Sequence, residues 1–236
     1  MSYGRIRVLE VDEELGEQVP GPQRGSAVRA ALADVLSLET GPWDPGSHGL
    51  PAAGFLVLEG CITREVSVLG QEMAVDFFAH GDLVRPAEEQ PLISVASETS
   101  WVVLERVRLA VLDAEFLVSV QPWPQIVAGL LRRQERRADW LAHVLAVSHL
   151  PRVQLRVLVL FWLFADRWGR RRGNEVAVPI PLTHVNIARL IGARRPTVTS
   201  AIHQLIEAGR IAPAGNGHWL LNGQPPEAIR TASTSD

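Results

Sequence analysis

A short polar segment near the C-terminal end of the chain holds the residue types that read DNA. It contains small hydroxyl groups, an imidazole and an amide, preceded by two arginines: Arg194, Arg195, Thr197, Thr199, Ser200, His203 and Gln204. Arginine forms paired hydrogen bonds with guanine in the major groove, and short donors and acceptors fit the other base edges. We therefore expect five of these side chains to face bases: Arg194, Arg195, Thr199, Ser200 and His203.

Two helices joined by a tight turn are predicted to position these side chains. Thr183 suits the N-cap of the first helix, and Gly192 suits its C-terminal turn. Pro196 fits the first turn of a second helix, which has one apolar face: Val198, Ala201, Ile202, Leu205 and Ile206.

A β-hairpin is predicted directly after the second helix, with Asn216-Gly217 as its turn. Two crossed helices followed by a hairpin are typical of a winged helix-turn-helix domain, in which the second helix enters the major groove. The alternative is a plain packing unit whose polar face contacts only solvent.

Two longer helices precede this region, and the first of them allows two interpretations. It spans Ile126 to Ser148, and a heptad frame places six residues on one side: Val127, Leu130, Gln134, Arg137, Leu141 and Val144. These residues form either a dimeric coiled-coil interface, with the polar pair fixing the register, or a face that packs on the same chain. The second helix, Arg152 to Trp168, contains nine consecutive apolar residues and is predicted to be buried.

The N-terminal half changes to short strands. Residues 1–25 are predicted to be a poorly ordered arm, and Ser26 to Leu38 a short amphipathic helix with Ser26 as its N-cap. The predicted strands, separated by turn residues, are Phe55–Leu58, Ile62–Val68, Met73–Phe78, Leu92–Ala96 and Trp101–Val107. This pattern indicates a β-sandwich or β-barrel, and the whole chain an α+β protein.

The charges are unevenly distributed along the 236 residues. The net charge is −3, and all 23 basic residues are arginine. Residues 1–120 contain 8 Arg and 19 acidic residues, whereas residues 151–236 contain 11 Arg and 5 acidic residues. The basic C-terminal part favours an anionic partner.

The composition also excludes several classes of protein. A hydrophobic fraction of 47% excludes global disorder. An apolar run of nine residues is too short for a membrane span, and the acidic N-terminus lacks a signal-peptide core, so we expect a cytoplasmic protein. Cys61 is the only cysteine, which excludes an intrachain disulfide, and it is expected to be buried.

With these features in this order, residues 41–221 resemble the Crp/Fnr family of bacterial transcription regulators. The resemblance implies a cyclic-nucleotide-binding-like jelly-roll barrel (1–120), a dimerisation helix (121–150) and a winged helix-turn-helix domain (151–236). It favours the dimer interpretation of the long helix, and it implies phosphate contacts at Thr183, His184 and Thr197. The expected partners are a two-fold symmetric double-stranded DNA operator, a second copy of the chain and RNA polymerase, with no membrane.

The sequence departs from this family at two places. The frequent Arg-Glu-Thr-Val-x-Arg motif reads Arg195-Pro196-Thr197-Val198-Thr199-Ser200 here, so the operator should not be inferred from relatives. No arginine stands beside Ser94, where cyclic-nucleotide binders place the cation for the phosphate. We therefore expect no cofactor and no high-affinity binding of cyclic nucleotides; the effector is unknown, and Arg85 is the candidate residue of an effector pocket.

Two other functions compete with an effector-gated regulator. One is a DNA-binding regulator with a vestigial, effector-independent barrel. The other is a small-barrel metal enzyme, but the only histidines of the N-terminal half are His48 and His80, which are far apart in the sequence. We predict no metal site and no enzyme.

Overall fold

The structure is a computed structural model, and it describes residues 4–86 and 94–227. The chain divides into a first compact unit that ends at Trp140 and a second that begins at Leu141. In the described part of the chain, no helix combines the length and apolar character needed to cross a bilayer.

The first unit is built on one antiparallel sheet. Its strands are β1 (Arg5–Arg7), β2 (Leu32–Leu38), β3 (Gly41–Trp43), β4 (Gly54–Val68), β5 (Gln71–Phe78), β6 (Leu83–Val84) and β7 (Ser97–Leu112). The main path runs β1-β2-β7-β4-β5, while β3 pairs with β7 and β6 pairs with β4. Across residues 4–86 and 94–227 these pairings do not close into a ring.

The two long strands β4 and β7 form the centre of the sheet. The sequence predicted separate strands before and after Gly60, but β4 is continuous there. Gly60 has φ +82°, and a Cβ atom placed on it would lie 2.2 Å from the carbonyl oxygen of Arg106, so no larger residue fits there. The pairing register between β4 and β7 shifts on both sides of this glycine. A β-bulge at this glycine therefore bends the strand without ending it.

The N-terminal predictions are wrong in two respects. The expected disordered arm contains β1, helix α1 (Val8–Val11), a 3-10 turn and the start of helix α2 (Gly21–Ala30). The expected helix from Ser26 to Leu38 ends at Ala30, and its second half is strand β2, which pairs with β7. Pairing with a strand some seventy residues away overrides the local helical spacing.

The remaining predicted strands fall within β5 and β7, with one exception. Residues 92 and 93 of the expected strand Leu92–Ala96 lie outside the described residues, and Ser94 to Ala96 are not in a strand.

Helices α3 (Ala114–Val120) and α4 (Pro124–Ser148) follow the sheet. Ile126 and Leu130 of α4 join a core formed with the N-terminal helices. Further along, Arg133 lies 2.6 Å from Asp12, and both side chains are buried. Arg137 pairs with Asp76 and lies over the ring of Phe78, 3.4 Å from its centroid. One face of α4 is therefore fixed to its own sheet by apolar contacts and buried ion pairs.

Within its described residues, 141–227, the second unit contains the end of α4, three further helices and a four-stranded antiparallel sheet. The helices are α5 (Val153–Trp168), α6 (His184–Leu190) and α7 (Arg195–Glu207), and the strands are β8 (Arg170–Arg172), β9 (Glu175–Val178), β10 (Ile211–Gly215) and β11 (His218–Asn222). The sheet order is β10-β11-β9-β8. The predicted hairpin is thus part of a larger sheet, and Arg170–Arg172 form an exposed edge strand.

Candidate nucleic-acid interface

The turn between α6 and α7 has the predicted chemistry. Thr183 is the N-cap of α6, and its hydroxyl accepts a hydrogen bond from the backbone N–H of Asn186 at 3.1 Å. Gly192 follows the helix with φ +61°, and the N–H of Ala193 donates to the carbonyl of Ala188. This is the Schellman arrangement, which needs a left-handed residue where glycine is least strained.

Helix α7 is amphipathic as predicted. Val198, Ala201, Ile202 and Leu205 are buried, while Ile206 is 36% exposed and stands at the edge of this apolar face. Four of the five predicted base-reading side chains are exposed, namely Arg194, Arg195, Ser200 and His203. The fifth, Thr199, is half-buried. Arg194 is the N-cap and Arg195 the first helical residue, at the positive end of the helix dipole.

His184 connects α6 to α7 and to the sheet. Its Nδ1 lies 3.0 Å from the hydroxyl oxygen of Thr199, and its ring stacks on Trp219 with centroids 6.3 Å apart. Burial lowers the pKa of His184, and the positive charges of His203 and Arg195 lower it further. The neutral imidazole is therefore the favoured form, and it holds the Thr199 side chain.

The predicted phosphate contacts have different surroundings. Thr183 and Thr197 are exposed, although the Thr183 hydroxyl already caps its helix. His184 is half-buried and engaged with Thr199. Their role toward phosphate stays a prediction.

Sequence reasoning missed the role of Arg156 in fixing α6. The guanidinium donates to the carbonyls of Leu150 and Ile191, at 2.6 and 3.1 Å. Ile191 is the C-cap of α6, so a cation satisfies a carbonyl at the negative end of that helix. The apolar run after Arg156 predicted only that the helix is buried. The contacts of Arg156 could not be predicted, because both of its hydrogen-bond acceptors are backbone carbonyls outside α5.

The predicted wing is present. Asn216 and Gly217 both have positive φ, +52° and +76°, as a type I′ turn requires. Gly217 accepts a hydrogen bond from the N–H of Leu182, and the indole N–H of Trp219 donates to the Leu182 carbonyl. These bonds fix the hairpin to the segment that leads into α6.

Most of the six residues predicted for a dimer helix contact their own chain. Leu130 and Val144 are buried, and Val127 packs against the N-terminal core. Gln134 donates to the carbonyl of Leu83 at 3.0 Å, and Arg137 pairs with Asp76. Only Leu141 is exposed, at 38%. Five of the six are therefore buried or in contact with the same chain, and their role in a dimer stays a prediction.

Beside the face formed by these six residues, about 100° further round the helix, α4 carries exposed apolar residues that the heptad frame omitted. Leu131 is 59% exposed and Leu145 63% exposed, and Ala138 lies midway between them. These three residues are spaced by seven, the period of a coiled-coil interface.

A cavity of about 560 Å³ lies in the first unit beside Arg85. Its lining consists of Leu50, Pro51, Ala52, Gly54, Arg85, Pro86 and Gln134. Arg85 is exposed and forms no ion pair with any residue in 4–86 or 94–227. Within these same ranges no three His, Cys, Asp or Glu side chains lie where they could share a metal ion.

Comparisons with solved structures find the same fold across the chain. A cyclic nucleotide-binding domain containing protein from Listeria monocytogenes EGD-e is 15% identical, with 90% of this chain and 97% of the other aligned and a TM-score of 0.63. A CooA mutant from Carboxydothermus hydrogenoformans is 13% identical over 92% and 91% of the two chains, with a TM-score of 0.58. FixK2 from Bradyrhizobium japonicum is 14% identical over 80% and 92%, also with a TM-score of 0.58.

Sequence comparison finds a similarity to one family model, and it lies within the second unit. No curated protein matches the chain in sequence. Residues 155–222 match the model of the Crp-like helix-turn-helix domain, a range that contains α6, α7 and the hairpin. Residues 155–222 are therefore similar to a Crp-like helix-turn-helix domain, and the whole chain has the fold of the three solved structures named above.

Proposed function

We propose that this protein is a homodimeric, sequence-specific DNA-binding transcription regulator that acts in the bacterial cytoplasm. The observation that carries the proposal is α7, which exposes polar side chains along one face and two arginines at its N-terminal end. Recognition helices of helix-turn-helix proteins contact base edges with N-terminal residues in this way.

Selection of bound fragments from randomised double-stranded DNA tests the proposal. We expect a two-fold symmetric motif whose half-sites lie about 34 Å apart, one helical turn. No enrichment, or a motif without two-fold symmetry, would contradict it.

Arg195→Ala tests the reading end of α7. If Arg195 pairs with a guanine, the variant loses about 1 to 3 kcal/mol of binding free energy and its preference at that base pair. Arg106→Ala is the matched control, because Arg106 is a 69% exposed arginine on β7. Unchanged affinity and unchanged preference in Arg195→Ala would remove Arg195 from base reading.

The dimer is proposed to form through the exposed side of α4, along Leu131, Ala138 and Leu145. Association would bury leucines that the single chain leaves in water, which is favourable by the hydrophobic effect. On the neighbouring face, Gln134 and Arg137 already contact the same chain, which favours the exposed leucines as the centre of the interface.

Leu145→Arg tests this interface by sedimentation or light scattering. We expect a dimer for the wild type and a folded monomer for the variant, because two arginines would face each other at the two-fold axis. Val118→Arg makes the same change at a 71% exposed position of α3 and should leave the dimer intact. A monomeric wild type, or a dimeric Leu145→Arg variant, would contradict this interface.

A small anionic effector is proposed for the cavity beside Arg85. The supporting observation is an exposed guanidinium on a cavity large enough for a metabolite, with no ion-pair partner in the described ranges. Cyclic nucleotides are not proposed, since no arginine stands beside Ser94. The alternative is a barrel that serves only as a scaffold.

Thermal unfolding with a panel of anionic metabolites and cyclic nucleotides separates these alternatives. An effector should raise the midpoint in the wild type and not in Arg85→Gln, and cyclic nucleotides should raise neither. If no compound shifts the midpoint and DNA affinity is independent of all of them, the scaffold alternative holds.

RNA polymerase is proposed as a further partner where the operator lies at a promoter. Transcription in vitro from a template with the selected site distinguishes activation from repression. A transcript level that does not change when the protein is added would contradict a regulatory role at that site.

A further inference from the structure

The two hydroxyl side chains predicted to read bases are engaged within the protein. The Thr199 oxygen lies 3.0 Å from Nδ1 of His184, and the Ser200 hydroxyl donates to the carbonyl of Pro196 at 3.2 Å. Hydrogen bonds already satisfied inside the protein are costly to exchange for others. The hydroxyl groups of Thr199 and Ser200 therefore each have one hydrogen-bonding position already used within the protein, which favours another group as the reader at these residues.

His184 is itself held in place, so it fixes the conformation of Thr199. Its ring stacks on Trp219, and the Trp219 indole N–H donates to the carbonyl of Leu182, next to the N-cap of α6. Trp219 is only 5% exposed and contacts Phe161 at a centroid distance of 5.1 Å. The imidazole is thus a rigid partner for the Thr199 oxygen.

The Cβ of threonine carries one hydroxyl and one methyl group. When the oxygen is directed toward His184, the Cγ2 methyl is the remaining heavy-atom group of a side chain that is half-buried on α7. In the major groove, the C5-methyl of thymine distinguishes A·T pairs by apolar contact, and the threonine methyl is one of the groups that makes this contact.

We propose that Thr199 reads a thymine through its methyl group, and that His184 is the positioning residue that turns this methyl toward the DNA. The proposal rests on the proposed function, and it assigns the base class recognised at one position of each half-site. Arg195 and His203 are exposed on the same helix, and they are proposed to supply hydrogen bonds to the neighbouring bases.

Replacement of thymine by uracil tests the proposal, because uracil keeps every hydrogen-bonding group and lacks only the methyl. In the selected operator, each thymine of a half-site is replaced singly and the affinity of the full-length protein is measured. For the wild type we expect a loss of about four-fold at one position, the effect of one buried methyl contact. Other positions should change little.

Two variants of Thr199 identify the group responsible. Thr199→Ser keeps the hydroxyl and removes the methyl, so the ratio of the thymine and uracil affinities should fall to about one. Thr199→Val keeps a methyl at this position and should retain the ratio. Retained discrimination in Thr199→Ser, or no uracil-sensitive position in the wild type, would overturn the proposal.

The positioning role of His184 is tested by the ratio of the thymine and uracil affinities, which a merely structural role would not change. His184→Leu removes the partner of the hydroxyl, so the thymine-to-uracil ratio should fall and preference at that base pair should relax. His184→Gln retains a hydrogen-bonding side chain and should restore much of the ratio.

Two outcomes need to be kept apart. If His184→Leu does not fold, as judged by circular dichroism, the Thr199 pair decides the proposal alone. A wild type that selects no DNA contradicts the proposed function, whereas a wild type that binds its operator without methyl discrimination contradicts only this inference.

Discussion

At the scale of single residues, burial decides which side chains can react or titrate. His184 and Cys61 both have shifted pKa values, for the same reason that charge is unfavourable in a desolvated position. Sequence spacing placed His184 at the start of the correct helix, but it left Cys61 between two predicted strands, where the structure has the continuous strand β4. It could not give the partner of His184, because Thr199 and Trp219 are brought to it by the crossing of two helices and a strand.

The pH dependence of stability should reveal His184. Its pKa in the folded protein is below the usual 6.5, so the unfolded chain binds more protons at this site near that pH. The site's contribution to stability is complete above about pH 6.5 and is lost as the pH falls through 6.5 toward the folded pKa. Urea unfolding at pH 7.5 and 5.5 should show a smaller loss for His184→Gln than for the wild type. An identical loss in both proteins would exclude this site.

Cys61 should be unreactive in the folded protein. Burial raises the pKa of the Cys61 thiol well above its usual range, and the side chain is fully buried in β4. Because the thiolate is the reactive form, alkylation should be orders of magnitude slower in native buffer than in denaturant. Mass spectrometry after timed iodoacetamide labelling measures the difference, and rapid stoichiometric labelling of the native protein would contradict it.

At the scale of elements, the signals that could be read from the sequence were local ones. The caps of α6, the glycine after it and the turn at Asn216 act within a few residues, and all three are present. Strand β2 was predicted as helix because its identity depends on pairing with β7, which no local pattern shows.

Helix α4 combines both cases. Its length follows from its composition, and five of the six residues in the heptad frame are buried or contact the same chain, but the frame omits the buried Arg133. Arg133 and Arg137 face inward because Asp12 and Asp76 are there to receive them. A pattern of apolar residues alone would place such arginines in solvent.

Two arginines three residues apart on α4 should differ strongly in their effect on stability. Arg133→Ala leaves Asp12 buried without its ion pair and should cost about 3 to 5 kcal/mol. Arg136 pairs with Glu14 at a surface where both side chains are more than half exposed, so Arg136→Ala should cost less than about 1 kcal/mol. Urea unfolding of both variants measures the difference, and equal small losses would show that the buried pair is not stabilising.

At the scale of the whole molecule, the near-neutral total conceals two oppositely charged units. Residues 1–140 contain 12 Arg and 21 acidic residues, whereas residues 141–236 contain 11 Arg and 5 acidic residues. The basic unit is the one that contains the residues similar to a Crp-like helix-turn-helix domain. The position of a charge should therefore matter more for DNA binding than the net charge.

Two variants with the same net charge test whether the position of a charge matters for DNA binding. Arg194→Gln removes a charge at the N-terminus of α7, and Arg106→Gln removes one from the first unit. The slope of log affinity against log salt should become shallower by about 0.9 for Arg194→Gln, one released counterion, and stay unchanged for Arg106→Gln. Equal changes in both variants would mean that total charge governs binding.

The ion pairs of α4 have a consequence for exchanging modules between regulators. Helix α4 runs from Pro124 to Ser148, and the boundary between the two compact units lies within it, after Trp140. A fusion made at Pro124 would remove the buried arginine partner of Asp12 and one of the two arginine partners of Asp76, which would keep only Arg64 on β4. The natural joint for grafting a new sensor onto this reader thus lies inside a helix, after Trp140, and not at the loop where the helix begins.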